Sequence, residues 1–121
     1  MRTGIDLLEI NRLDELDAAI RARFLQRVFT PGELADVGNS SPSLAGRFAM
    51  KEAVSKALGC GIGEVGWQSI EVLRGAQGEP CLLLHGKAQE VAVSLGLQQW
   101  SISISHNHTQ AVAVAVGLGL P

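Results

Sequence analysis

The residues best equipped for chemistry in this chain are Asp6, Glu52 and Lys56. Glu52 and Lys56 stand one helical turn apart in "LAGRFAMKEAVSKALG", residues 44–59, and Phe48 shares their face at the same four-residue spacing. On spacing alone the two charges make an ordinary exposed ion pair, worth little to stability. The crowding by Ala, Phe and Val leaves little room for a purely solvated face. Asp6 interrupts the apolar run "GIDLL" at 4–8, where a partly buried carboxylate needs a cation or several donors. Its partner is an arginine or a metal ion. Two carboxylates that leave most of an octahedral shell open suit magnesium, which keeps waters and takes phosphate oxygens. Separation in sequence does not show whether Asp6 and Glu52 meet.

Other reactive residues give weaker signals. Cys60 and Cys81 have neither metal-ligand nor redox spacing, so reduced thiols in a cytoplasmic protein are expected. His106 and His108 lack a third ligand, and zinc is not expected there. His85 reads as an ordinary strand-end residue. The glycines at 59, 61 and 63 make a flexible, glycine-rich connection.

These residues need elements to hold them. Gly4–Leu8 predicts a strand, and Asn11 a cap for a helix running to about Arg23 with Leu13, Leu16 and Ile20 on one face. "TPGEL" carries a capping box: Thr30 as cap, Pro31 at the first position and Glu33 three residues after the cap, opening a short helix to Val37. After the loop "GNSSPS", Ser43 is the expected cap of the charged helix, and Gly59 its stop. Strands are expected at Ser69–Leu73 and Cys81–His85, joined by a turn at "RGAQGEP", with a helix over Gly86–Leu95. The alternation in "SISIS" at 101–105 and "AVAVAV" at 111–116 predicts a closing hairpin around "HNHTQ". Helices early and strands late imply an α+β fold, an antiparallel sheet packed against a long central helix.

Bulk properties bound the function. The 121 residues suit one domain, 1–121, and 46% hydrophobic against 18% charged residues indicates an ordered chain with an aliphatic core. A net charge of −2 speaks against nucleic-acid binding, and no apolar run is long enough to span a membrane. Eight of the ten basic residues lie at or before Lys56. Arg21, Arg23 and Arg27 occur in a stretch without an acid, a patch able to receive an acidic partner or simply a solvated helix end.

"GIDLLEINR" at 4–12 and "RFAMKEAVSKALGCGIG" at 47–63 resemble the two signature motifs of the holo-acyl-carrier-protein synthases, the short branch of the 4′-phosphopantetheinyl transferases. "RVFTPGEL" at 27–34, "GEPCLLLHG" at 78–86 and "SISISHN" at 101–107 follow in the family's order over nearly the whole chain. A lone KEA is weak; the ordered set is specific. The resemblance implies transfer of the 4′-phosphopantetheine arm of coenzyme A to a serine of an apo acyl carrier protein, releasing adenosine 3′,5′-bisphosphate. It implies a place in fatty-acid and lipid metabolism, and a homotrimer with active sites at subunit interfaces. The runner-up is a non-catalytic carrier-protein or nucleotide-binding module.

By the same resemblance, Asp6 and Glu52 hold Mg2+ against the coenzyme A diphosphate and act in catalysis with Lys56, which contacts the phosphates. Glu9 matches the last acid of the first motif and supports the metal or a basic neighbour. Arg47, Lys51, Lys56, Gly59, Gly61, Gly63 and His106 make the coenzyme A cradle. Arg12, Arg21 and Arg23 dock the acidic carrier. Which group accepts the serine proton stays open, as do the roles of His108 and of Cys60, which stands where the family more often has threonine.

Overall fold

A computed structural model describes residues 1–119 and contains six α-helices, one 3-10 turn and five strands among them. Strand β1 (Arg2–Glu9) pairs antiparallel with β5 (Gln110–Leu118), which pairs antiparallel with β4 (Gln99–His106), giving the order β1-β5-β4. A separate antiparallel hairpin joins β2 (Ile70–Arg74) to β3 (Pro80–Leu84). The α+β expectation holds, with the antiparallel strands divided between two sheets.

The register assigns the faces of the larger sheet. Gly4, Asp6 and Leu8 of β1 sit opposite Ala115, Ala113 and Ala111 of β5, which in turn face Ile102, Ile104 and His106 of β4. The three alanines are fully buried, so this row is the inner face. Their small side chains admit α4 (Ser41–Leu58), the 18-residue central helix. Gly4 permits the closest approach: a Cβ there would lie 1.8 Å from the carbonyl oxygen of Ala53. Ala49, Met50, Ala53, Val54 and Leu58 of α4 join one core cluster with β2, β4, β5 and α6 (Gly86–Ser94). Leu44 and Ala45 join a second, around Leu13, Val28 and Phe29. The helix is therefore shared by both cores.

Several boundaries differ from the sequence reading. The helix expected from Asn11 to Arg23 is two: α1 (Asn11–Asp14) and α2 (Ala18–Val28), the second capped by Asp17, whose side chain accepts from the Ile20 N–H. Asn11 lies inside α1, and no side chain caps that helix. The capping box of α3 (Pro31–Val37) forms as expected, with Thr30 and Glu33 bonding each other's backbone. Helix α4 starts at Ser41 behind Ser40, with Ser43 already helical, because Pro42 occupies the first turn, where its missing N–H costs nothing. Gly59 ends α4 in the left-handed conformation at φ 75°. The glycine-rich connection is ordered into α5 (Ile62–Val65) and a 3-10 turn at Trp67–Ser69.

The free edge of β2 is covered by charged side chains in place of a strand. The Val72 N–H donates to Glu33 Oε2 (2.9 Å) and the Arg74 N–H to Asp36 Oδ2 (2.7 Å). The Val72 carbonyl accepts from Arg47 Nε (3.1 Å), and the Ile70 carbonyl accepts from Lys51 Nζ. A bare strand edge invites pairing with another chain, and here α3 and α4 satisfy it from within.

Candidate active site

Asp6 and Glu52 come together because β1 and α4 are in contact where their sequences place the two carboxylates. Asp6 points from the inner face of β1 towards α4, and its side chain is 19% exposed. Lys56 Nζ donates to Asp6 Oδ1 (3.1 Å) and to the carbonyl of Ile5 (3.0 Å). Glu52, one turn earlier on the same helix face, is half-buried. Burial pushes its pKa up, and the negative charge of Asp6 adds to the rise, while Lys56 pulls it down. A carboxylate whose proton affinity is raised by a second one beside it makes a centre that a cation relieves.

The donor set fits magnesium. Both ligand candidates are carboxylate oxygens, and among the described residues no group of three or more His, Cys, Asp or Glu side chains is placed to hold a metal ion. A two-carboxylate site leaves the other positions to water and phosphate oxygens, the habit of Mg2+ rather than of zinc.

An apolar pocket of about 230 Å³ adjoins this centre, lined by Leu8, Arg12, Leu13, Leu16, Phe24 and Phe48. Leu8 is two residues beyond Asp6 on the same face of β1, and Phe48 one turn before Glu52. Phe48 packs at a tilt between two other rings, 5.8 Å from Phe24 in the pocket wall and 4.8 Å from Trp67 outside it, between ring centroids. Trp67 and Leu16 did not stand out as site residues in the sequence, since neither lies in a motif with a chemical signature.

Two residues of the expected cradle turn elsewhere. Lys51 is completely buried, and its ammonium is bound by Glu33 Oε1 (2.8 Å) and by the carbonyls of Trp67 (3.0 Å) and Ile70. Its three protons are committed, so Lys51 cannot grip a phosphate at the surface. Burial lowers its pKa, and Glu33 opposes that shift. Arg47 is 8% exposed and directed at β2, about 140° around α4 from Glu52. Burial lowers its pKa too, opposed by Glu33. Both replace backbone partners of β2, which the local spacing could not reveal. Glu33 itself, fully buried, read as no more than a capping residue; a lysine buried beside it was the signal that it carries a second role.

The remaining candidates are dispersed in the single chain. Gly59 closes α4, and Gly61 and Gly63 face open space, with no neighbouring atom that would meet a side chain there. His106 ends β4, exposed beside Pro42, Asn107 and His108. It is two strands across and one repeat along from Asp6, roughly 12 Å between Cα atoms by strand geometry. Glu9 lies on the opposite face of β1 from Asp6 by the period of two, away from the carboxylate pair. His85, read as an ordinary strand-end residue, bonds Glu71 Oε1 through Nε2 at 2.9 Å.

The arginines divide. Arg12 is exposed on the pocket rim, and Arg23 is exposed on α2. Arg21 is tied inward, donating to the carbonyls of Leu13 (3.0 Å) and Asn39 (3.1 Å) and to Ser41 Oγ (3.4 Å). It fastens α2 to the α1 turn and to the start of α4, so its guanidinium is engaged within the chain.

The chain is similar to known proteins over most of its length. Residues 2–115 match the model of the 4′-phosphopantetheinyl transferase superfamily. The chain is 44% identical over 107 residues to the holo-[acyl-carrier-protein] synthase of Herpetosiphon aurantiacus, covering 83% of this chain and 84% of that one. It is 46% identical over 105 residues to the Moorella thermoacetica enzyme of the same name, covering 84% and 81%. The Helicobacter pylori holo-[acyl-carrier-protein] synthase, solved in complex with coenzyme A, superposes with a TM-score of 0.85 at 34% identity, covering 96% of this chain and 99% of that one.

Proposed function

The chain belongs to the 4′-phosphopantetheinyl transferase superfamily, and on that premise we propose how its residues carry the transfer of phosphopantetheine from coenzyme A to an apo acyl carrier protein. The observation that carries the reading is one surface on which Asp6, Glu52 and Lys56 converge beside an apolar pocket rimmed by Arg12. The carrier serine oxygen forms a bond to the phosphorus that bears the pantetheine arm. The diphosphate P–O bond breaks, adenosine 3′,5′-bisphosphate leaves, and the serine hydroxyl gives up its proton.

Asp6 and Glu52 would hold Mg2+. When bound, that ion supplies charge neutralisation and polarisation at the diphosphate. Lys56, with its side chain 53% exposed on a rigid helix, has the freedom to leave Asp6 and set its ammonium against a phosphate oxygen. There it balances the charge that develops on the leaving group. The pocket between Leu8, Leu16, Phe24 and Phe48 accepts an apolar side chain of the carrier, while Arg12 and Arg23 meet its acidic groups.

A homotrimer with active sites at subunit interfaces accounts for what one chain leaves apart. The outer face of the larger sheet exposes Ile5 (59%), Leu7 (56%) and Val114 (36%) side by side. Such a face favours burial against further copies. A neighbour would then bring His106 and the open glycines Gly61 and Gly63 to the coenzyme A held by Asp6 and Glu52. Among the described residues no helix is long and apolar enough to cross a membrane. The two free thiols, Cys60 and Cys81, suit the cytoplasm, where the holo carrier would serve lipid synthesis.

The test is direct. The folded protein, coenzyme A, Mg2+ and several apo carrier proteins are incubated and the carriers weighed by intact-mass spectrometry. A phosphopantetheine adduct on the serine, absent with chelator, is expected. No adduct on any carrier refutes the reading.

A further inference from the structure

Lys51 and Glu33 form the one ion pair among the described residues whose two side chains are both fully buried, and neither touches the reaction surface. Burying two charges is costly, and a hydrophobic pair often replaces them without loss of stability. Their partners show where the bonds go. Glu33 accepts from the Thr30 and Val72 N–H groups (both 2.9 Å), and Lys51 binds Glu33, Trp67 and Ile70. One pair thus ties α3, the Trp67 turn and β2 to a single position on α4.

That position is the neighbour of Glu52. On a helix, residues 51 and 53 lie about 100° to either side of residue 52. On one side Lys51 is held by Glu33; on the other, the backbone of Ala53 rests against Gly4 of β1. Glu52 projects between these two anchors, towards Asp6. The sheet-side contact fixes how deep the helix lies, and the bonds of Lys51 fix its roll. Rolling α4 would swing Glu52 and Lys56 together relative to Asp6, and would shift Phe48 against Trp67.

We propose that Lys51, held by Glu33, is a positioning residue that orients Glu52 for metal binding. The inference rests on the metal site proposed above. It assigns Lys51 a role in the reaction without contact to coenzyme A, metal or carrier.

The test uses the full chain with Mn2+ as a paramagnetic stand-in for Mg2+. Binding in the presence of coenzyme A is read from water-proton relaxation, alongside the kcat and KM for transfer. Lys51→Met leaves Glu33 buried without its cation. The double variant Lys51→Met with Glu33→Gln removes both charges and keeps the fold available even where the single variant unfolds. Leu97→Ala, in the core between α6 and the sheet, is the control for lost stability alone. In the folded fraction of the Lys51 variants the Mn2+ dissociation constant should rise on the order of 10-fold, the lower end for residues that orient metal ligands. The kcat should fall with it. Leu97→Ala should bind Mn2+ as the wild type does. Lys51 variants that bind Mn2+ within about 2-fold of wild type, or a Leu97→Ala affinity weakened as much as theirs, overturn the inference. Wild-type protein that binds no Mn2+ removes the metal site itself, and the positioning role with it.

Discussion

Replacing Gly4 with alanine tests the contact on which the site is built. The added Cβ would stand 1.8 Å from the Ala53 carbonyl oxygen, 2.8 Å from its carbonyl carbon and 3.0 Å from the Ala57 N. All three are backbone atoms of α4, so no rotamer change relieves the clash, and the helix has to retreat by more than an ångström. In an accommodating strand, Gly→Ala would stabilise by about 0.4–1 kcal/mol through the unfolded chain. Overpacking opposes this with about 1–3 kcal/mol, and a backbone obstacle belongs at the upper end. The net loss is then about 2 kcal/mol, or roughly 5–10 °C in Tm for a chain of this length. Asp6 is two residues from Gly4 on the same face, and Glu52 adjoins Ala53. The retreat therefore widens the carboxylate pair, and a misplacement of about 1 Å can cost on the order of 100-fold in kcat. Thermal unfolding by circular dichroism and Mg2+-dependent carrier modification measure the two effects, with Gly61→Ala, in open space, as the control for Tm alone. A Gly4→Ala protein with wild-type Tm and kcat would show that the close approach of β1 and α4 does not exist.

Other outcomes follow from the same geometry. Glu52→Gln should abolish Mg2+-dependent transfer yet stabilise the metal-free protein at neutral pH. Because Glu52's folded pKa is raised, its ionised form costs stability above that pKa. The benefit of glutamine should therefore vanish as pH falls and wild-type Glu52 takes up its proton; urea unfolding across the acid range reads this. Mg2+ should also dissociate from wild type as pH falls through that raised pKa, at a higher pH than for an ordinary carboxylate. Arg12→Glu should weaken carrier binding in a salt-dependent way at unchanged Tm, measured by calorimetry at two ionic strengths. Arg21→Ala should instead lower stability by about 1–2 kcal/mol, because it loses bonds to Leu13, Asn39 and Ser41. If the proposed homotrimer forms through the outer sheet face, Ile5→Asp should convert it into smaller species in light scattering, with the monomer still folded.

The elements and the chemistry were legible to different extents. Thr30–Pro31–Glu33, Gly59 and the alternating strands carry local signals, because caps, left-handed turns and pleats depend on a few adjacent residues. The break between α1 and α2 was hidden by apolar residues that kept a helical period across Glu15–Asp17, while the Asp17 cap restarted the chain. Local spacing put Glu52, Lys56 and Phe48 on one face, and the tertiary contacts agree. It could not say which of the neighbouring charges faced inward. Arg47, Lys51 and Glu52 are all ionisable side chains on one helix; only the fold shows that the first two are buried and the third is not.

What the sequence determined by itself is the family, the α+β class, and the types of the reacting groups, since these follow from local patterns and motif order. The meeting of Asp6 with Glu52 was decided by tertiary structure. It depends on a glycine in β1 and on the alanines of β5, which let α4 lie close enough for residues 46 positions apart to share one surface. Tertiary structure also turned Arg47 and Lys51 away from the ligand surface. The unpaired edge of β2, a strand still to come in the chain when α4 is read, needed their donors more than water did.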